Sequence, residues 1–106
     1  MSKKTTTDAT KILADIAGHD PIRQQAFEEE VANREVAQSI YELRQRAGIS
    51  QAELAKRIGT TQSVISRLED ADYEGHSLAM LNRIAAAVER RVEIRFVPRR
   101  RRLQPA

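Results

Sequence analysis

Apolar positions along the 106-residue chain follow a helical period through most of its length and a period of two near its end. Val36, Ile40, Leu43 and Ala47 recur at i, i+4, i+7 and i+11, the stripe of a helix with one face turned to a core. Upstream, Ile22, Ala26, Phe27 and Val31 make a second, sparser face, and Asp20-Pro21 reads as an N-cap followed by proline at the first helical position. No glycine or proline follows until Gly48, so this stretch reads as one long helix or as two, and the change of face places an expected break near Val31 to Arg34. Ser50 opens the next helix with a capping box in which Glu53 answers the Ser50 amide, and Gly59 closes it. A further helix is expected from about Thr61 to Asp70, and Ser77 caps another with the stripe Leu78, Leu81, Ile84, Ala85 and Val88. Near the start, Asp8 is placed to cap a short helix bearing Ile12, Leu13 and Ile16 before Gly18, after a polar stretch expected to be disordered.

The period then changes. Val92, Ile94 and Phe96 alternate with Glu93 and Arg95 until Pro98, the pattern of one short strand. A single strand in a helical domain leaves its backbone groups unpaired, and its simplest partner is the same strand of a second copy, so a homodimer is expected. The fold class is therefore all-α: a compact helix-turn-helix domain of four to five helices, with an N-terminal helical extension and one short C-terminal β-strand pairing across a dimer. The expected divisions are an arm over 1–33, a domain over 34–90, the dimerisation strand over 91–98 and a basic tail over 99–106.

Composition agrees with an aliphatic helical core, since only 4% of residues are aromatic and none is Trp. Charge is more informative in its distribution than in its net value of +3. Asp20 to Glu42 hold six acids against Arg23 and Arg34, whereas seven arginines against two acids occupy Glu89 to the end. Opposite surfaces of this kind fit two sorts of partner, although a charge run is also the ordinary dress of a solvated face. With no Cys and only His19 and His76, widely separated, neither disulfides nor a metal site is expected, and no residue pattern implies a cofactor. No apolar run approaches membrane length, so a cytoplasmic location without membrane contact is expected.

The segment from Gln51 to Asp70 meets the steric needs of two helices crossing steeply through a tight turn. Ala55 is small where the helices pass closest, Gly59 can take a positive φ, and Leu54, Ile58, Ile65 and Leu68 point inward. A short helix presented in this way fits the major groove of double-stranded DNA. From Gly48 to Asp70 the chain resembles the phage-repressor, Cro or XRE, type of helix-turn-helix, and the likeness extends from about Val36 to Val88. That resemblance implies a phosphate contact for Gln51 and base or backbone contacts for Thr61, Gln62 and Ser63, with Ser66 and Arg67 one turn further on the same side. Gln suits adenine, Arg suits guanine, and hydroxyls suit either phosphate or base. Lys56 and Arg57 read equally as phosphate ligands and as solvated helix charges. The resemblance also implies a partly buried ion pair between Arg44 and Glu69, structural rather than DNA-reading.

A narrower likeness takes in the acidic extension, the run Glu35-Val-Ala-Gln-Ser-Ile-Tyr-Glu-Leu-Arg44 and the ending Val92-Glu-Ile-Arg-Phe-Val-Pro98. Together these are similar to antitoxins of the HigA type, which implies a protein that silences a small basic mRNA-cleaving toxin of the RelE/HigB kind and represses the shared operon as a dimer. Many such relatives carry glycine at the helix-to-strand junction, where this chain has Glu89-Arg90-Arg91. An RNase that holds a polyanion is basic, and the acidic stretch supplies the opposite charge. The candidate toxin contacts are Ile12, Leu13, Ile16, Ile22, Phe27, Glu28, Glu29 and Glu30, while packing onto the protein's own core is an equal reading for Ile22 and Phe27. The alternative function is a stand-alone XRE-family repressor with no toxin partner. No acid–base pair, ligand set or activated nucleophile points to catalysis, so an enzyme is not expected.

Overall fold

The computed structural model describes residues 20–99. The expected helix carrying Ile12, Leu13 and Ile16, and the arginines at 100–102, lie outside the described residues. The described residues form four helices: α1 (Pro21–Ala47), α2 (Gln51–Ile58), α3 (Gln62–Leu68) and α4 (Leu78–Ala87). The chain divides into two compact units, one spanning Glu30–Ile94 and the other holding, among the described residues, 20–29 and 95–99.

Asp20 caps α1 as its sequence position suggests, its Oδ1 accepting from the amide of Ile22 at 2.9 Å. The break expected near Val31 to Arg34 is absent, and α1 runs unbroken for 27 residues. Its middle is rich in Glu, Ala, Gln and Arg, all strong helix formers, and it contains nothing that disrupts the backbone ladder. Side-chain bonds four residues apart add to this, Gln25 to Glu29 and Gln38 to Glu42 each at 3.0 Å. A change of apolar face alters what a helix packs against, not whether it continues.

The core of Glu30–Ile94 is a single cluster of Ile40, Leu54, Ala55, Ile58, Ile65, Leu68 and Ile84, edged by Val36, Leu43, Ile49, Val64, Met80 and Leu81. Each of its large aliphatic side chains contributes about 1.5–3 kcal/mol by leaving water. Two stripe positions differ from expectation. Ala47 is exposed at the end of α1 while Ala37 is buried, and Leu78 is 52% exposed in the first turn of α4. Both expected positions sit at helix ends, where the axis is already leaving the core.

Ser50, Thr61 and Ser77 cap α2, α3 and α4, each hydroxyl accepting from the amide three residues on. The reciprocal half of the capping box is not made, because the Glu53 carboxylate turns along the helix to Arg57, whose Nε donates to it at 3.1 Å. Three helices end in the same way, with paired backbone bonds closing on a left-handed residue: Gly48 (φ 72°), Gly59 (φ 76°) and Glu89 (φ 61°). For α4 the amides of Glu89 and Arg90 donate to Ala86 and Ala85 at 3.1 and 2.8 Å. The glycine missing from Glu89-Arg90-Arg91 is thus replaced by a glutamate holding the conformation a glycine would take. An L-residue there carries about 1–2 kcal/mol of steric strain. Glu89→Gly is expected to raise stability by about 1 kcal/mol, seen as a higher urea midpoint with an unchanged slope. A lower midpoint would show that the glutamate makes a compensating interaction.

Beyond Arg90 no strand is assigned among the described residues. A β-ladder requires a second strand, and a single copy offers none to Val92, Ile94 and Phe96. Val92 is half-buried, Ile94 is 60% exposed and Phe96 is 99% exposed.

Candidate nucleic-acid interface

Within α3 the two faces separate cleanly. Ile65 and Leu68 are buried and Val64 half-buried, whereas Gln62, Ser63, Ser66 and Arg67, spaced i, i+1, i+4 and i+5, are all exposed. Ala55, 2% exposed, lies in the core beneath them. Arg67 makes no ion pair among the described residues. Thr61 is exposed too, but its hydroxyl is committed locally, accepting from the Val64 amide at 3.3 Å and lying 3.1 Å from Ser63 Oγ. Its structural part is to start the helix.

Behind α3 lies the ion pair of Arg44 and Glu69. Arg44 Nε and Nη2 donate to the two carboxylate oxygens at 2.7 and 3.0 Å, Nη1 donates to the Ile49 carbonyl at 3.0 Å, and the guanidinium lies 5.5 Å from the Tyr41 ring centre. The hydrogen bond and charge of Glu69 push Arg44 above its ordinary pKa, against the opposing pull of burial. Both side chains are nearly enclosed, at 9% and 5% exposure.

Gln51 joins this pair. Its Nε2 donates to Glu69 Oε1 at 3.0 Å, and its Oε1 accepts from Gln62 Nε2 at 3.3 Å. A run of hydrogen bonds therefore leads from a buried arginine to the first residue of α3. The only sequence signal was the matched placing of Gln at the first position of both α2 and α3.

At the other end of α3, His76 bonds the Leu68 carbonyl through Nε2 at 2.7 Å. A carbonyl only accepts, so that nitrogen carries the proton. Tyr73 stands edge-on to the imidazole at 5.0 Å, with Gly75 against the Tyr73 ring where a methyl group would collide. These contacts, invisible in the periodicity, tie the following loop to α3. Of the two uncertain cations, Lys56 is exposed, whereas Arg57 holds Glu53 and donates to the Ala87 carbonyl at 3.2 Å.

In the other unit, Ile22 and Phe27 are 81% and 59% exposed, so the core-packing reading of these two does not describe them. Arg99 Nε donates to Glu28 at 2.8 Å, Glu29 takes Gln25, and Glu30, in the neighbouring unit, is exposed. Among the described residues no group of His, Asp or Glu is arranged to hold a metal ion, and no helix is long and apolar enough to cross a membrane.

Two short helices joined through a glycine turn, the second with an apolar inner face and a polar outer one, form a helix-turn-helix, an arrangement whose second helix fits the major groove of DNA. Residues 40–89 match the family model described as Helix-turn-helix, beginning at the buried Ile40 and ending on the left-handed Glu89. Over those residues the chain is similar to helix-turn-helix domains, which agrees with the helix-turn-helix expected from the sequence. Comparison with curated proteins and with solved structures gave no match.

Proposed function

We propose that this chain is an antitoxin that binds operator DNA as a dimer, represses its own operon and neutralises a small basic RNase of the RelE/HigB kind. DNA binding follows from the domain; the antitoxin part is carried by one observation. The first third of α1 projects Ile22 and Phe27 into solvent beside Glu28 and Glu29. Apolar anchors rimmed by acids suit a basic partner, with charge setting the association rate and the anchors setting dissociation. The protein acts by binding rather than by catalysis; Asp20 serves as a helix cap, and Glu53 and Glu69 are held in ion pairs.

Co-expression with the neighbouring reading frame tests the partner. Toxicity relieved by this chain, and retained with a chain beginning at Ala32, supports the arm as toxin-binding; full neutralisation by the shorter chain, or a harmless neighbour, leaves a stand-alone repressor. Phe27→Ala is expected to speed dissociation of the toxin, while charge reversal of Glu28, Glu29 and Glu30 slows association in a salt-dependent way.

On DNA, Gln62 and Arg67 read bases, Gln51 and Ser63 approach the backbone, and Ser66 serves either. Gln62→Ala or Arg67→Ala is expected to weaken operator binding by about 1–3 kcal/mol each, with the melting temperature unchanged because both side chains are exposed. Gel-shift titrations against operator and random DNA check this. Equal losses on both would contradict base reading.

A further inference from the structure

The last described residue of the chain returns to the first helix. Arg99 Nε donates to Glu28 Oε2 at 2.8 Å, and Gln24, one turn earlier on α1, brings its Nε2 to the same oxygen at 3.4 Å. The contact that ties the two segments is polar, while their large apolar side chains, Ile22, Phe27, Phe96 and Val97, all stay in water. It is also selective. Of the arginines from Arg90 to Arg99, Arg99 alone meets a carboxylate among the described residues. The pair is 63% and 35% exposed, so it is weak, screened by salt and easily exchanged for another partner.

A guanidinium that holds a carboxylate suits a phosphate equally well. Arg99 opens the run Arg99–Arg102 and lies five residues beyond Ile94, where the unit holding α2 and α3 ends. Five extended residues reach about 17 Å, so a released Arg99 stays tethered to that unit. We propose that Glu28 withholds Arg99 from DNA: the carboxylate stands in for a backbone phosphate, and the acidic start of α1 competes with the duplex for the first arginine of the tail. The contact is autoinhibitory, because Arg99 reaches a phosphate only after leaving Glu28. The inference rests on the DNA-binding role given above to the helix-turn-helix and is independent of any toxin.

Removing any acid favours binding to a polyanion, so Glu28→Gln needs a control of equal charge. Glu29→Gln supplies it, since Glu29 takes Gln25 rather than Arg99. The affinity of the full chain for one random-sequence duplex is measured at low salt with each of these changes, alone and combined with Arg99→Gln. Glu28→Gln is expected to bind about two- to fivefold more tightly than Glu29→Gln. With Arg99→Gln also present, the two are expected to bind alike. Melting temperatures should not move, because the pair is exposed. In the free chain, the Arg99 Nε–H resonance is expected to shift on Glu28→Gln and to stay in place on Glu29→Gln. Equal affinities of the two single variants, an advantage of Glu28→Gln that persists without Arg99, or an Arg99 resonance indifferent to Glu28→Gln overturns the proposal. Failure of the parent chain to bind any duplex overturns the DNA-binding role and the proposal together, and is distinguishable because the resonance still reports the ion pair.

Discussion

Replacing Glu69 by alanine is expected to destabilise the domain by about 3–5 kcal/mol, because it strands the Arg44 guanidinium in a site built to hold it paired. Arg44 is only 8% exposed, and two of its three hydrogen bonds go to Glu69. A domain of this size has a total stability on the order of 5–15 kcal/mol, so this loss takes a large fraction of it. Denaturant melts monitored by circular dichroism measure the effect. The pair itself is a different matter: replacing Arg44 and Glu69 together by Met and Leu removes both charges and is expected to cost much less than either single change. An unchanged midpoint for Glu69→Ala would mean that water reaches Arg44 and that the pair contributes nothing.

Removal of Val92 to Ala106 is expected to yield a monomer that binds operator DNA about 10²–10⁴-fold more weakly, the loss of linking two recognition helices into one ligand. Two copies engage successive major-groove faces only with their helices about 34–36 Å apart, a spacing that a dimer holds and separate chains do not. The cut spares the end of α4, since the amide of Arg90 that closes on Ala85 is retained. The domain should therefore keep its melting point while its sedimentation coefficient falls. Phe96 and Ile94, at 99% and 60% exposure, are the side chains a second copy would cover. A shorter deletion from Arg99 separates the tail from the interface: it should stay dimeric and lose affinity mainly at low salt. A truncated chain that still sediments as a dimer would place the interface elsewhere.

Local chemistry was legible in the residue pattern where it depends on neighbours in the chain. Asp20, Ser50 and Ser77 cap as their positions imply, Gly59 makes the turn, and Leu54, Ile58, Ile65 and Leu68 point inward, because each needs only the local period or a single backbone preference. The unbroken α1 was not legible, since apolar periodicity reports the packing partner of a helix and says little about its continuity. The bond of Gln51 to Glu69, 18 residues away, was not legible either, because no spacing rule reaches so far. The Arg44–Glu69 pair spans 25 residues and came from resemblance rather than from pattern. His76 on the Leu68 carbonyl belongs to the same class of tertiary contact.

Arg57 of α2 donates to the last carbonyl of α4, while Arg83 of α4 donates to Ile58, the last residue of α2. The two helices thus exchange arginines, each neutralising the negative end of the other's dipole. Cations held in this way are poorly placed to displace condensed counterions from a phosphate backbone. The number of ions released when the domain meets DNA should accordingly fall below its tally of basic residues, with a salt dependence of affinity that neither Arg57→Gln nor Arg83→Gln flattens.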